Sequence, residues 1–248
     1  MNEVRRPGED ARADPPLRVE RLLVGYGGRP VLTGIDLELR RNEVLCLIGH
    51  NGAGKSTLLK TLFGLVPYQG GRVLLDERPL DRPEPRVLTA AGVSLVPEGR
   101  GIFPGLSVAE TMQMAMWAAG VPAAERAGRL EWVISILPEI GRSFRRRAGV
   151  LSGGQQQMVS IGRALLSRPR CLLMDEPSIG LAPKLFHDLL QPIRELQQRL
   201  GLSVLLVEQN VKEALKISDR VVVMKSGAVV RETEPSELAD NAKLMELY

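Results

Sequence analysis

The residues with types and spacing that can do chemistry lie in two places. One is Gly49-His50-Asn51-Gly52-Ala53-Gly54-Lys55-Ser56-Thr57; the other is the carboxylate pair Asp175-Glu176 closing the apolar run Cys171-Leu172-Leu173-Met174. Glycines let a backbone turn so tightly that successive amides point at one phosphate, and a helix starting directly afterwards adds its partial positive charge. Gly49, Asn51, Gly52, Ala53 and Gly54 read as such a cradle around a β-phosphate. Lys55 would bridge β- and γ-phosphates, Ser56 would offer its hydroxyl to Mg²⁺, and Thr57 would meet an α-phosphate oxygen. His50 occupies a variable position of the loop and is taken as incidental. Asp175 suits the Mg²⁺ shell; Glu176, one residue on, would face the γ-phosphate and orient or deprotonate the attacking water. Alone, each segment has a plain alternative, a glycine-rich turn and a solvated strand end. In the context of strand, loop and helix, each strengthens the other.

A third segment adds a second anion-binding helix start. In Leu151-Ser152-Gly153-Gly154-Gln155 a capping serine and two glycines open a helix running toward Arg163 and Leu166. The plain alternative is an N-capped helix with no ligand.

These segments require particular elements to position them. The continuous apolar run Val44 to Ile48 reads as a buried parallel strand feeding the glycine loop, with a helix over Leu58 to Phe63 behind it. Short β-patterned runs precede it at Leu17 to Leu23 and Ile35 to Leu39. Further apolar runs at Val93 to Val96, Cys171 to Met174, Val204 to Val207 and Val221 to Met224 alternate with helical stretches, the pattern of a mostly parallel sheet covered by helices. Between Ser107 and Val150 strands disappear, and Val108 to Trp117 and Ala123 to Leu137 suit helices: a helical insertion. A helix from about Gln155, a long helix Lys184 to Leu200 with a kink at Pro192, and a last helix from about Pro235 complete the pattern. Residues 1–16 are polar and proline-bearing and read as a disordered leader.

The chain has 248 residues, 44% hydrophobic and 25% charged, the balance of one large α/β domain. A net charge of +4 gives little support to nucleic-acid binding, and the basic residues form no extended stripe; Arg142 to Arg147 read as a solvated face. Cys46 and Cys171 sit in apolar runs and read as reduced core residues, which favours the cytoplasm. No stretch reaches the roughly 20 apolar residues of a membrane span.

Two phosphate-binding helix starts in one chain, with a helical insertion before the second, resemble the ATP-binding cassette family from Leu17 to about Glu232. The resemblance implies an α/β P-loop NTPase with a mostly parallel central sheet, an N-terminal antiparallel β subdomain and a helical subdomain at about 107–165, all within residues 17–248. It implies ATP and Mg²⁺ as cofactors. It also implies a dimer in which Ser152, Gly153, Gly154 and Gln155 of one subunit close over the γ-phosphate held by the other. Tyr26 matches the position of an aromatic ring that stacks on adenine, and Ser178 lies in the loop through which the two sites communicate. Two positions depart from the general pattern. Glu98 stands where a glutamine usually touches Mg²⁺ or the attacking water; a carboxylate keeps the acceptor and adds a charge. Gln209, in Val207-Glu208-Gln209-Asn210, stands where a histidine usually contacts the γ-phosphate and cannot carry its proton.

With Leu95-Val96-Pro97-Glu98-Gly99-Arg100-Gly101-Ile102-Phe103-Pro104 and Asp175-Glu176-Pro177-Ser178-Ile179-Gly180-Leu181-Ala182-Pro183, these departures are similar to one branch, the smaller ATP-binding subunit of branched-chain amino-acid importers. That resemblance implies a second ATPase subunit, two membrane permeases, indirectly a solute-binding protein, and a peripheral place on the cytoplasmic face of the inner membrane. The insertion and the loop after Glu98 would form the groove for a permease helix, with Phe103 in it. Urea or amide import and lipopolysaccharide-type export are the competing transport readings. A cytosolic cassette ATPase of translation or repair is disfavoured by the single glycine loop, and an ATP holder without hydrolysis by the intact Lys55, Ser56, Asp175 and Glu176.

Overall fold

A computed structural model describes residues 16–238. The leader assigned to residues 1–16 lies outside the described residues apart from Pro16, and of the last helix only Pro235–Leu238 is described, as a 3₁₀ turn. The chain begins with the antiparallel pair β1 (Leu17–Tyr26) and β2 (Arg29–Leu39), followed by β3 (Val44–Ile48), α1 (Lys55–Leu62), β4 (Gly70–Leu75), β5 (Arg78–Pro79), α2 (Pro85–Ala90) and β6 (Val93–Val96). Next come α3 (Val108–Ala118), α4 (Ala123–Ile136) and α5 (Pro138–Arg142), then a 3₁₀ turn at Ala148–Val150 and α6 (Gly153–Leu165). The remainder is β7 (Cys171–Asp175), α7 (Pro183–Leu200), β8 (Ser203–Val207), α8 (Val211–Leu215), β9 (Arg220–Lys225) and β10 (Ala228–Thr233).

The strands form a four-stranded antiparallel sheet, β2-β1-β4-β5, and a six-stranded sheet, β10-β9-β3-β8-β7-β6, in which only β10 runs antiparallel. β3, β7 and β8 are buried at every residue, because a parallel sheet covered on both faces has no polar side. Their residues alternate between two cores. Val44, Cys46 and Ile48 join the core shared with the helices, including α3 to α7, while Leu45 and Leu47 join the core shared with α1 and the antiparallel sheet. The two cysteines are free and buried on opposite faces of the sheet, and burial pushes both thiols up to about 12. They are small core residues.

The helical segment leaves and rejoins the sheet region at adjacent points. Ser107 bridges Arg147, the Val108 amide donates to the Arg146 carbonyl at 3.0 Å, and the Ala148 amide donates to the Leu106 carbonyl at 2.8 Å. Ser107 also caps α3 in a reciprocal box with Glu110. α6 packs on this segment and on the sheet. At Gly162 a Cβ would lie 2.2 Å from Ile140 Cδ1 and 3.2 Å from Val133 Cγ1, so only glycine permits the observed approach of the helices.

Several elements differ from the sequence reading. β1 and β2 are longer than their apolar runs, and β4, β5, α2 and β10 carry too little continuous apolar pattern to stand out. α6 begins at Gly153, two residues earlier than expected, because Ser152 is the cap. α7 continues as one 18-residue helix through Pro192. Phe186, Leu189, Leu190, Ile193 and Leu196 are all buried along one face, and that tertiary burial outweighs the hydrogen bond Pro192 cannot donate.

Candidate functional site

β3 ends at Ile48 and the glycine loop turns immediately into α1. Gly49 passes so close to β9 that a Cβ there would sit 2.2 Å from the Met224 carbonyl oxygen, which makes glycine obligatory at the start of the loop. Ala53 is buried beneath the loop, and its carbonyl accepts from the Gly227 amide at 3.1 Å. Lys55 is 4% exposed; its ammonium donates to the Gly49 carbonyl at 2.7 Å and the His50 carbonyl at 3.0 Å and lies 3.8 Å from Glu176 Oε1. Burial lowers the Lys55 pKa, and the negative charges of Glu176, Asp175 and Glu208 oppose the shift.

β7 delivers the two carboxylates to the same edge, where ligands collect in a parallel sheet. The Ser56 hydroxyl donates to Asp175 Oδ1 at 2.9 Å. Burial raises the Asp175 pKa, with the Ser56 bond and Lys60 opposing and the charges of Glu98 and Glu176 adding to it. Glu176 is a non-glycine residue at φ 48°, a left-handed conformation that surrounding contacts must hold. Its amide donates to the Val207 carbonyl at 2.9 Å, and Gln209 Nε2 donates to its Oε2 at 2.6 Å.

A cavity of about 430 Å³ gathers these groups: Asn51, Gly52, Gly54, Lys55, Ser56 and Thr57 on the loop side, and Glu98, Glu176, Ile179 and Gln209 opposite. Gly49 lines an adjoining cavity with His50, Asn51 and Gln209. The two positions that depart from the general pattern, Glu98 and Gln209, thus face the glycine loop. Tyr26 is half-exposed at the tip of the β1–β2 hairpin and does not line this cavity.

The helix start is elsewhere. Ser152 caps α6, its amide donating to Gln155 Oε1 at 3.1 Å and its hydroxyl accepting from the Gln155 amide at 3.4 Å, and none of Ser152 to Gln155 lines the glycine-loop cavity. Arg100 from the loop after β6 reaches over this start: its Nη1 donates to Gln156 Oε1 at 2.6 Å, and its Nη2 would meet a Cβ at Gly153 at 2.8 Å. The sequence reading named neither Arg100 nor Glu208 as a site residue; Glu208 is buried and bonded to Ser178. The available signal was Glu208's place directly after an apolar parallel strand.

The oxygens of Ser56, Asp175 and Glu98 fit a hard cation. Among the described residues no three or more His, Cys, Asp or Glu side chains come together as a metal cage. Such a partial donor set suits Mg²⁺, which keeps waters and takes phosphate oxygens as its other ligands.

The ABC transporter family profile matches residues 32–179. The high-affinity branched-chain amino acid transport ATP-binding protein BraG of Pseudomonas aeruginosa is 36% identical over 94% of this chain and 98% of its own length. The probable branched-chain amino acid transport ATP-binding protein LivF of Archaeoglobus fulgidus is 34% identical over 93% and 97%. Other importer subunits also match, among them an sn-glycerol-3-phosphate import ATP-binding protein of Rhizobium johnstonii at 36% identity over 90% of this chain and 59% of its own. A nucleotide-free ATP-binding cassette superposes with a TM-score of 0.84 at 27% identity, covering 94% of this chain and 98% of that one, and the ADP conformation of a cassette gives 0.81 at 28% over the same shares. Because similarity runs from end to end and is not confined to one motif, what is shared is the whole cassette: the chain belongs to the ABC transporter family and is one of its ATPase subunits.

Proposed function

We propose that this chain hydrolyses MgATP at an interface with a second ATPase subunit to power import of branched-chain amino acids or related solutes through two membrane permeases. An extracytoplasmic solute-binding protein would deliver the solute, and the chain would sit peripherally on the cytoplasmic face of the inner membrane. In this reading residues 17–248 form one ATPase domain, with the helical subdomain at about 107–165 inside it. The names of the relatives in Pseudomonas aeruginosa and Archaeoglobus fulgidus support the solute class. No helix among the described residues is long and apolar enough to cross a membrane.

The observation that carries the reading is Glu176, held by Gln209 at 2.6 Å and 3.8 Å from Lys55 in the glycine-loop cavity. The loop amides, Lys55 and Thr57 bind the phosphates and Tyr26 stacks on adenine; Ser56, Asp175 and Glu98 would hold Mg²⁺, which would neutralise phosphate charge when bound. Glu176 takes a proton from water as the water oxygen bonds to the γ-phosphorus; the bond to the β,γ-bridging oxygen breaks, releasing ADP and phosphate. The helix start at Ser152 to Gln155 serves the nucleotide of the second subunit, in keeping with its place outside the chain's own cavity.

Glu176→Gln should abolish turnover and accumulate an ATP-bound dimer on size-exclusion chromatography; unchanged turnover would refute the role. ATP-driven leucine uptake by vesicles carrying the assembled system tests the solute, and uptake confined to another solute class would overturn that part.

A further inference from the structure

Glu208 accepts more hydrogen bonds than any group proposed to do the chemistry. It follows β8 directly and is fully buried. Its Oε1 accepts from the Ser178 amide at 2.8 Å; its Oε2 accepts from the Ser178 hydroxyl at 2.6 Å, the Gln209 amide at 3.1 Å and the Asn210 amide at 3.3 Å. Two donors thus lie in the loop just past Glu176 and two in the segment that bears Gln209. Burial raises the carboxyl pKa, and the bonds from Ser178, Asn210 and Gln209 pull it back. Burying a carboxylate is costly unless it is hydrogen-bonded, and here four donors converge on it.

Glu176 supplies the need. Its left-handed backbone persists only if its surroundings over-determine it, and two of its hydrogen bonds, to the Val207 carbonyl and from Gln209 Nε2, are made by the residues on either side of Glu208. A shift between the two segments would move Glu176 relative to Gln209.

We propose that Glu208 is a positioning residue for hydrolysis: by joining the Glu176–Ser178 loop to the Gln209 end of β8 it fixes the water-activating carboxylate against its amide partner. This rests on the reading of Glu176 given above. Glu208→Gln is the informative variant, because it keeps the volume and turns one acceptor oxygen into an NH₂ group. However the amide turns, at least one backbone N–H then faces a donor.

The test is single-turnover hydrolysis by the full chain in excess over MgATP, with ATP affinity and thermal unfolding measured on the same protein. Glu208→Gln should slow hydrolysis by about tenfold or more while ATP affinity stays within about threefold, a split that loss of folded protein alone does not produce. In a cycle with Gln209→Ala, the double variant should be about as slow as the slower single one, since both act on one geometry. A wild-type rate for Glu208→Gln, a loss that follows ATP affinity, or fully multiplying factors would overturn the proposal. Should Glu208→Gln fail to fold, Ser178→Ala removes the shortest of the four bonds and leaves the backbone intact: slower hydrolysis at unchanged affinity supports the proposal, and a wild-type rate overturns it. Glu176→Gln run alongside separates the two failures. Full activity there sinks the site reading and this proposal together, while inactive Glu176→Gln beside fully active Glu208→Gln sinks this proposal alone.

Discussion

Gln209 places an amide, which does not titrate, on the cavity wall where a histidine would bring a group that titrates near neutrality, and its Nε2 donates to Glu176 Oε2 at 2.6 Å. Hydrolysis should therefore vary less between pH 6 and 8 than in cassettes with histidine at this position. A steady-state pH profile checks this, and a rate controlled by a group with a pKa near 7 would count against it. That Lys55, Ser56, Asp175 and Glu176 come together was legible in the sequence, because each lies in a short string at the end of an apolar run that reads as a parallel strand. Glu208 was not, although it was in plain view beside Gln209. Its meaning lies in Ser178, 30 residues away, and only the fold brings the two together. Arg100 was hidden for the same reason: its partner Gln156 is 56 residues distant.

Among the elements, α6 is shared by the helical segment and the sheet. Its N-terminus carries Ser152, and its body meets Ile140, Val133 and Met112 at Gly162. Gly162→Val should destabilise the protein by roughly 1–3 kcal/mol through overpacking, lowering the thermal midpoint by several degrees. An unchanged midpoint would mean that the helices separate at no cost. Element types were readable wherever burial writes a pattern: β3, β7 and β8 are continuous apolar runs, and α3 opens on its serine cap. The reading failed where tertiary contact decides. α7 runs unbroken through Pro192 with its apolar face buried along its length, and the strands missed in the sequence depend on their pairing partners, β4 on β1 and β5 on β4.

At the scale of the whole molecule, one six-stranded sheet separates two cores, and its carboxyl edge presents the glycine loop, the strand-end carboxylates and Gln209 together. Phe103, on the loop after β6, is 50% exposed and Trp117, on α3, is 73% exposed, both large apolar side chains. If the loop after β6 receives a permease helix, Phe103→Asp should abolish solute uptake by the assembled system while leaving basal ATP hydrolysis within about twofold; equal loss of both would remove Phe103 from that role. The neck at Ser107 and Arg147 has a different implication. Because the chain departs and returns through neighbouring backbone, everything beyond the neck is a closed excursion with both ends in one place. An exchange made at those two junctions would leave the strand order of the sheet untouched, while the close packing of α6 on the segment at Gly162 would decide which replacements fit.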